Sequence, residues 1–278
     1  MLKMIASDLD GTLLNFIART DRYILNTIDR VLDQGLYFVV ATGRSMQGEK
    51  TGLNFGNRPL YIISNNGAVI QNPQNKVLFK KEIPKSFIIK TLETFPNQSF
   101  DFIGVDETWV NTSQEQYLKG FDGDRSPIRG AALKIIHKHM RNHHFETSMA
   151  EILSQEIIKI NTRIPDPEGL ATFNRYLAES PEVINLPFGD GIFELTKQSV
   201  NKGFSLQWLC DELKINKKEV AVFGDGGNDL ELLEQFPNSY APKNAKPEAK
   251  LRAKSIIGPN TTYSVPRKIR QLLKEQNR

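Results

Sequence analysis

The order of apolar and amphipathic segments at the start of the chain constrains its fold most strongly. Short apolar runs cover residues 3–7, 36–41 and 60–64. Between the first two runs, Ile24, Ile28 and Leu32 recur at the spacing of one helical face. Gly35 then stands where such a helix would end. This region therefore predicts a βαβ unit with buried parallel strands.

The same order returns near the other end of the chain. EVAVFGDG at 219–226 begins with an apolar run, and a helical stretch follows it. SYA at 239–241 predicts another strand, and we expect further helices around 247–253 and 265–275.

The middle of the chain has a different pattern. From about Ile83 to Leu195, runs such as SFDFIG, IIKINTRI and GIFELT alternate apolar and polar residues, which is typical of half-exposed antiparallel strands. Helical stretches separate these runs. The sequence therefore predicts an α/β fold with a parallel-sheet core at 1–82 and 190–278, and an α+β module inserted at 83–189.

Composition places the chain among soluble globular proteins. Of its 278 residues, 39% are hydrophobic and 24% are charged, and no uncharged apolar stretch has the length of a membrane span. The first apolar run meets Asp8, so we expect no signal peptide. The single cysteine, Cys210, excludes an internal disulfide and fits a reducing cytosol. The net charge of +4 comes without a nucleic-acid motif, so we expect a cytoplasmic protein that binds neither nucleic acid nor a membrane.

Polar residues follow several of the apolar runs directly. They are Asp8 and Asp10 after the first run, Thr42 and Gly43 after the second, and Asp225 after the run in the second half. Because ligands bind at the carboxyl ends of parallel strands, we expect these side chains to meet at one edge of the sheet. Lys202, before a predicted helix, is expected at the same edge.

Acidic residues gathered in this way predict a cation. Two like charges about 4 Å apart repel by roughly 4 kcal/mol at an effective dielectric constant near 20, and Asp225 adds to the repulsion between Asp8 and Asp10. A hard divalent cation relieves this repulsion. Mg²⁺ prefers oxygen ligands and is commonly held by one or two carboxylates together with substrate phosphate and water.

Donors for an anion are expected at the same edge of the sheet as these acids. The Thr42 hydroxyl, the Gly43 backbone N–H and the Lys202 ammonium suit phosphoryl oxygens. Acids for a cation and donors for an oxyanion in one crevice predict a site for phosphoryl transfer.

Six motifs resemble the haloacid dehalogenase superfamily, and in particular its Cof-type phosphatases with a large α/β cap. They are DLDGT at 8–12, ATGR at 41–44, SNNGA at 64–68, NKG at 201–203, GDGGND at 224–229 and NAKPEAK at 244–250. The resemblance implies a Rossmann-like core with the cap at 83–189. Two cap segments, EILSQEIIKINTRIPDPE and PFGDGIFEL, are most similar to the sugar-phosphate and flavin-mononucleotide phosphatases of this branch.

The resemblance also implies catalytic roles for the first two acids. Asp8 resembles the nucleophile, whose carboxylate attacks phosphorus and forms an aspartyl-phosphate. Asp10 resembles the general acid, which protonates the departing alkoxide and later takes a proton from water. This second role requires Asp10 to carry a proton at neutral pH.

The binding residues are implied in the same way. The implied Mg²⁺ ligands are the Asp8 and Asp225 carboxylates and the Asp10 backbone carbonyl. The implied phosphate-binding residues are Thr42, Gly43, Lys202 and Asn228, with Asp229 placed to orient Lys202 or a metal-bound water.

We therefore expect a Mg²⁺-dependent phosphatase that hydrolyses small phosphate monoesters, with sugar phosphates favoured and a small phosphorylated metabolite as its partner. The cap would close over the leaving group and choose the substrate. A phosphomutase stays open as an alternative, because it uses the same core and passes the phosphoryl group to a second sugar hydroxyl. So does a non-catalytic sensor of phosphorylated metabolites, although binding alone needs neither a nucleophile nor a proton shuttle.

Three further features have simpler interpretations. Arg44 is expected to form a surface ion pair, and Asn66 is expected to shape a turn. His139 and His143 stand at i, i+4, a spacing that can bind zinc, but no third ligand is evident. We expect a solvated helix there.

Overall fold

The computed structural model describes residues 1–46, 53–120, 140, 142–186 and 191–276. The chain divides into two compact units. The first unit combines residues 1–80 with 199–278, and the second unit is the segment between them, 81–198. No helix in the described ranges is both long and apolar enough to cross a membrane.

Strands and helices alternate through the described residues. In chain order the strands are β1 (Met4–Ser7), β2 (Tyr37–Ala41), β3 (Tyr61–Ser64), β4 (Val69–Gln71), β5 (Val77–Lys80), β6 (Phe100–Ile103), β7 (Thr108–Val110), β8 (His143–His144), β9 (Lys159–Arg163), β10 (Val183–Asn185), β11 (Ile192–Lys197), β12 (Val220–Phe223), β13 (Asn238–Pro242) and β14 (Ser255–Ile257). The helices are α1 (Arg22–Asp33), α2 (Lys85–Thr94), α3 (Gln114–Lys119), α4 (Met149–Leu153), α5 (Pro167–Ala178), α6 (Lys202–Glu212), α7 (Leu230–Gln235), α8 (Pro247–Arg252) and α9 (Ser264–Gln276). Single helical turns lie at Leu9–Leu13, Asn65–Gly67, Lys217–Glu219, Gly227–Asp229 and Asn260–Thr262.

The first unit is built on an eight-stranded sheet in the order β14-β13-β12-β1-β2-β3-β4-β5. Its strands from β14 to β3 are parallel, and β4 and β5 add an antiparallel hairpin at one edge. Because β1 lies inside the sheet, Met4, Ile5 and Ala6 are completely buried. This sheet confirms the predicted α/β fold with a parallel core.

Helices cover both faces of this sheet. On one face, Ile24 and Ile28 of α1 pack in the same cluster as Ile269 of α9, as the helical spacing of the sequence predicts. On the other face, Leu206 of α6 and Leu232 of α7 belong to a second cluster. Alternate residues of β1 contribute to the two clusters, so this strand is covered by apolar packing on both faces.

The second unit is built on a six-stranded sheet in the order β10-β11-β9-β6-β7-β8. Neighbouring strands are antiparallel except β7 and β8. On one face, Phe87 of α2 and Phe173 of α5 pack in an apolar cluster with Phe100, Phe102 and Phe193 of the sheet. The inserted segment therefore has the antiparallel strands that its alternating sequence predicts, with α2 and α5 packed on one face of the sheet.

The second boundary of the inserted unit lies further along the chain than predicted. The sequence pattern places it after residue 189, whereas the unit extends to Gln198. The reason is β11, which pairs with β9 and β10 and so belongs to the second sheet. The turn before it, at 187–190, lies outside the described residues.

The histidine-rich segment also differs from the sequence prediction. His143 and His144 form the short strand β8 beside β7, so the helix expected there is wrong at these positions. His139, the other half of the proposed zinc-binding pair, lies outside the described residues.

Asp21 stabilises the start of α1. Its Oδ1 accepts hydrogen bonds from the backbone N–H groups of Tyr23 at 2.9 Å and Ile24 at 3.1 Å. We expect Asp21→Ala to lower the stability of the first unit by about 1–2 kcal/mol, which urea unfolding followed by circular dichroism would measure. Asp33→Ala at the other end of the helix is the control, because its exposed carboxylate lies at the negative end of the helix dipole. Equal losses in the two variants would contradict the capping role.

Candidate active site

Three neighbouring strands of the first unit end in the polar residues that the sequence singled out. β1 is followed by Asp8, β2 by Thr42, and β12 by Gly224 and Asp225. These strands run parallel in the order β12-β1-β2, so their carboxyl ends share one edge of the sheet. Ligands of open α/β sheets bind at such an edge.

A buried lysine joins two of the acids. Lys202 is the first residue of α6, and its side chain is completely buried. Its Nζ donates to Asp8 Oδ1 at 2.6 Å and to Asp229 Oδ1 at 2.7 Å. Burial by itself would lower the pKa of this ammonium, but the charges of Asp229 and Asp8 outweigh burial and hold the pKa above its ordinary value. Lys202 is therefore a fixed positive charge between two carboxylates.

Asp229 fixes both Lys202 and the loop that follows β12. Its Oδ1 accepts from Lys202, and its Oδ2 accepts from the backbone N–H groups of Asp225 and Gly226, both at 2.9 Å. The side chain is completely buried. Both carboxylate oxygens are thus engaged in holding other parts of the site.

Asp225 lies close to the turn that follows β1. Its Oδ1 accepts from Thr12 Oγ1 at 2.6 Å. At Gly11, where φ is +73°, an added Cβ would lie 2.3 Å from Asp225 Oδ2. Glycine is the residue that adopts this left-handed backbone conformation readily and has no side chain to collide with the Asp225 carboxylate. Gly11 and Thr12 together therefore set the position of Asp225.

The three acids form one cluster. Asp8, Asp225 and Asp229 each offer a carboxylate oxygen within 4.8 Å of the others. Burial raises the pKa of Asp8 well above its ordinary value, because loss of water outweighs the opposing charge of Lys202. Burial likewise raises the pKa of Asp225 to about 6, and the charge of Asp229 adds to the effect. Burial therefore disfavours the charged forms of Asp8 and Asp225 in the absence of a cation.

This cluster fits a hard divalent cation. When all three carboxylates are ionised, Lys202 leaves an excess of two negative charges, which a divalent ion would neutralise. Carboxylate oxygens are the donors that Mg²⁺ prefers. Because Asp229 is committed through both of its oxygens, Asp8 and Asp225 are the better ligands.

The Asp10 carboxylate pairs with Arg44. Arg44 Nε donates to Asp10 Oδ2 at 2.6 Å, and Nη2 donates to Oδ1. The two side chains are 30% and 27% exposed, so this is a partly buried contact within the site and not the surface ion pair that the sequence predicts. Both carboxylate oxygens of Asp10, the residue to which the resemblance assigns proton transfer, are therefore engaged by one guanidinium.

Gly43 and Asn228 meet at Asn66. Asn228 Nδ2 donates to Asn66 Oδ1 at 3.0 Å, and Asn66 is completely buried. A Cβ added to Gly43 would lie 2.6 Å from Asn66 Oδ1 and 3.2 Å from Asn228 Nδ2. Thr42 is also buried, and its Oγ1 accepts from the backbone N–H of Arg44 at 3.1 Å. Gly43 and Asn228, two of the residues that the resemblance assigns to phosphate binding, thus lie near each other, with Thr42 next to Gly43 in the chain.

Sequence reasoning gave no chemical role to three residues of this site, namely Thr12, Arg44 and Asn66. Each belongs to one of the six motifs, so the signal was present, but a motif does not tell which partner a side chain finds. Thr12 holds Asp225, and Arg44 holds Asp10. Asn66 accepts from Asn228, so it does more than shape a turn.

Known proteins resemble this chain along nearly its whole length. The family described as haloacid dehalogenase-like hydrolases matches residues 5–269. Phosphatase YwpJ of Bacillus subtilis is 26% identical over 285 residues, which cover 98% of this chain and 100% of the relative. The 5-amino-6-(5-phospho-D-ribitylamino)uracil phosphatase YbjI of Escherichia coli is 27% identical over 283 residues, which cover 99% of this chain and 97% of the relative. The solved structure of the HAD subclass IIB sugar phosphatase BT4131 matches with a TM-score of 0.74 at 20% identity, and the match covers 97% of this chain and 98% of that one.

We expect Mg²⁺ to stabilise the protein against thermal unfolding, because the ion relieves repulsion within the acid cluster. The shift in the unfolding midpoint should be larger at pH 7.5 than at pH 5, since the pKa of Asp225 is raised to about 6 and a protonated carboxyl binds the ion poorly. Without Mg²⁺, the raised pKa makes the folded state bind this proton more tightly than the unfolded chain. The contribution of Asp225 to stability should therefore increase as the pH falls from about 6 towards the ordinary value of 3.8.

Differential scanning fluorimetry at the two pH values, with NaCl at equal ionic strength as the salt control, measures these effects. Asp225→Asn is the matched variant. It should be more stable than the wild type without Mg²⁺ and should gain little from the ion. A Mg²⁺ shift of the same size in Asp225→Asn would contradict the assignment of the cluster.

Proposed function

The chain belongs to the haloacid dehalogenase-like hydrolases, and we propose that it is a Mg²⁺-dependent phosphatase of small phosphate monoesters, with sugar phosphates as the favoured substrates. The observation that carries this proposal is the buried contact between Asp8 and Lys202 beside Asp225. A nucleophilic carboxylate, a fixed ammonium and a second carboxylate suited to a cation are the groups that transfer of a phosphoryl group to an acid needs.

In the first step of the proposed reaction, the Asp8 carboxylate attacks phosphorus in line with the ester oxygen. A bond between Asp8 and phosphorus forms while the bond to the leaving alkoxide breaks, which gives an aspartyl-phosphate. Lys202 offsets the charge of Asp8, so that the carboxylate can approach an anionic phosphate group. Asp229 keeps the ammonium in place.

Asp10 is the proton carrier of the proposal. It gives a proton to the leaving alkoxide, and in the second step it takes a proton from the water that attacks the aspartyl-phosphate. That attack breaks the bond between Asp8 and phosphorus, releases inorganic phosphate and restores the carboxylate. Since the Asp10 carboxylate is bonded to Arg44, proton transfer requires it to exchange this partner for the leaving oxygen.

The remaining residues of the proposal bind the phosphoryl group and the cation. Thr42, Gly43 and Asn228 supply donors to the phosphoryl oxygens, and donors fixed in place before the reaction need little reorganisation in the transition state. Asp8 and Asp225, together with the backbone carbonyl of Asp10, would hold Mg²⁺. The bound ion would stabilise the negative charge of the phosphoryl group.

The substrate class has support from the sequence and from one relative. The inserted unit contains segments similar to those of sugar-phosphate and flavin-mononucleotide phosphatases. The relative from Escherichia coli acts, by its name, on a phosphorylated ribityl compound. Both favour phosphate esters of small polyhydroxylated groups.

Release of inorganic phosphate from sugar phosphates and flavin mononucleotide, with and without Mg²⁺, tests the proposal directly. We expect release to require Mg²⁺ and to disappear in Asp8→Asn, because a neutral amide is a poor nucleophile towards phosphorus. Asp33→Asn is the matched control. It changes an exposed carboxylate at the end of α1 in the same unit and should keep the wild-type rate.

Each other result of this assay has a definite meaning. Comparable rates in Asp8→Asn and in the wild type would remove Asp8 from the role of nucleophile. Conversion of one sugar phosphate into another, without release of phosphate, would identify a phosphomutase. Tight binding of phosphorylated metabolites without any turnover would identify a sensor.

Gly43 offers a second test of the phosphate-binding residues. A Cβ there would displace Asn66 and Asn228, so we expect Gly43→Ala to lower kcat/KM by roughly 10²-fold or more while circular dichroism shows a folded protein. Gly227→Ala is the matched control, because an added Cβ at Gly227 meets no atom of the described residues within 4 Å. Equal activity in the two variants would exclude a close approach at Gly43 as a requirement of catalysis.

A further inference from the structure

A cavity of about 290 Å³ lies wholly within the second unit. Its wall includes Asp101 of β6, Asn161 of β9 and Glu194 of β11, together with Tyr117 of α3. Phe100 and Phe102 flank Asp101 on β6, and Phe193 and Leu195 flank Glu194 on β11. These four apolar residues are buried in the cluster with α2 and α5. Because side chains alternate along a strand, the cavity lies on the opposite face of the sheet. Its volume is at the small end of the range for ligand pockets.

Three polar side chains form one row across this face of the sheet. Asp101 stands opposite Asn161, and Asn161 stands opposite Glu194. Residues paired in this way have their side chains on the same face and close together. The row therefore presents several oxygen acceptors side by side.

Two oxygens of this row are buried and, within the described part of the chain, have no hydrogen-bond partner. They are Asp101 Oδ1 and Asn161 Oδ1. The other oxygen of Asp101 accepts from the Tyr117 hydroxyl at 3.2 Å. Buried acceptors without donors are costly and rare in native proteins, so each of these two oxygens is suited to accept a hydrogen bond from a ligand.

The charged groups at the cavity are nearly balanced. Glu194 is paired with the buried Lys159 at 2.9 Å. Arg163 and Lys119 also border the cavity; the charge of Arg163 acts on Asp101, and Lys119 pairs with Glu115 at 3.2 Å. This wall lacks the excess of one sign that binds an inorganic anion or a metal ion, so it fits a neutral polar molecule.

Asp101 has a second property that suits a neutral polar ligand. Burial raises its pKa to about 7, although the Tyr117 hydroxyl and the charges of Arg163 and Lys159 act against the shift. Near neutral pH this side chain is therefore able either to accept a hydrogen bond as a carboxylate or to donate one as an acid.

We propose that this cavity is a second binding site, which takes a small neutral polyhydroxylated group such as that of a sugar or sugar alcohol. Hydroxyl groups both donate and accept hydrogen bonds. They would donate to the unpaired oxygens of Asp101 and Asn161 and accept from the cationic side chains at the rim. The Tyr117 ring adds an apolar surface for the carbon chain. The site lies within the second unit, and its existence does not depend on the reaction proposed for the first.

Isothermal titration calorimetry of the full-length protein with ribitol and with D-glucose tests this site. We expect the wild type to bind at least one of them, and Asn161→Leu to weaken binding about tenfold or more, because leucine has a similar size and no acceptor. Asp101→Leu should weaken binding as well, since leucine offers neither an acceptor nor a donor to the ligand. Asp106→Asn is the matched control, because Asp106 is exposed and outside the cavity wall, and it should leave the affinity unchanged.

Three results would overturn the proposal. The first is no binding of either polyol by the wild type. The second is equal affinity in the wild type and in a folded Asn161→Leu variant, with folding checked by circular dichroism. The third is binding of inorganic phosphate that depends on Asn161, which would make the cavity an anion site.

The polyhydroxylated group has two possible sources, and kinetics separate them. We would compare kcat/KM for ribitol 5-phosphate and for p-nitrophenyl phosphate in the wild type and in Asn161→Leu. A fall for ribitol 5-phosphate alone assigns the cavity to the polyol part of a phosphate ester, and unchanged values for both assign it to a free polyol. An equal fall for both would overturn the proposal, because the nitrophenyl group has no hydroxyl. The calorimetric measurement needs no turnover, so it stands whether or not the phosphatase proposal holds.

Discussion

The ammonium of Lys202 is bonded to Asp8 and Asp229, and all three side chains are almost or completely excluded from water. Charges in such surroundings persist only when they are paired, because removing an ion from water costs of the order of several kcal/mol. Each of the three groups therefore depends on the other two. They come from the end of β1, the start of α6 and the turn before α7, so one buried contact sets the position of three elements. Folding of the first unit therefore also places Asp8 and Asp229 around Lys202.

Much of this arrangement could be predicted because its signals are local. Short apolar runs and helical spacing indicate the parallel strands and α1, and the polar residues at the strand ends indicate the edge where the acids meet. Alternating residues in the middle of the chain indicate the antiparallel sheet of the inserted unit. The second boundary was misplaced because a turn looks the same whether it separates two units or two strands of one sheet. Pairing of β11 with β9 decides between these cases.

Partners brought together from distant parts of the chain could not be predicted in the same way. Arg44 follows a strand end like any surface cation, and only the fold shows that its guanidinium is bonded to Asp10. The row of Asp101, Asn161 and Glu194 depends on the register of three strands, which no local pattern specifies. The sequence shows which residue types occur and how apolar residues repeat along an element. Which atoms contact each other depends on the tertiary packing.

The position of β1 between β2 and β12 has a consequence for how the protein is made. Met4 pairs with Tyr37 on one side and with Val220 on the other. At the ribosome, β2 emerges soon after β1, but β12 emerges only after the entire inserted unit has been translated. In a nascent chain, the edge of β1 that will pair with β12 therefore stays without its partner strand. The second unit is one continuous segment, so it can fold before β1 and β12 pair. Asp225 and Asp229 can join Asp8 only after β12 has emerged, so a shorter nascent chain lacks the complete acid cluster.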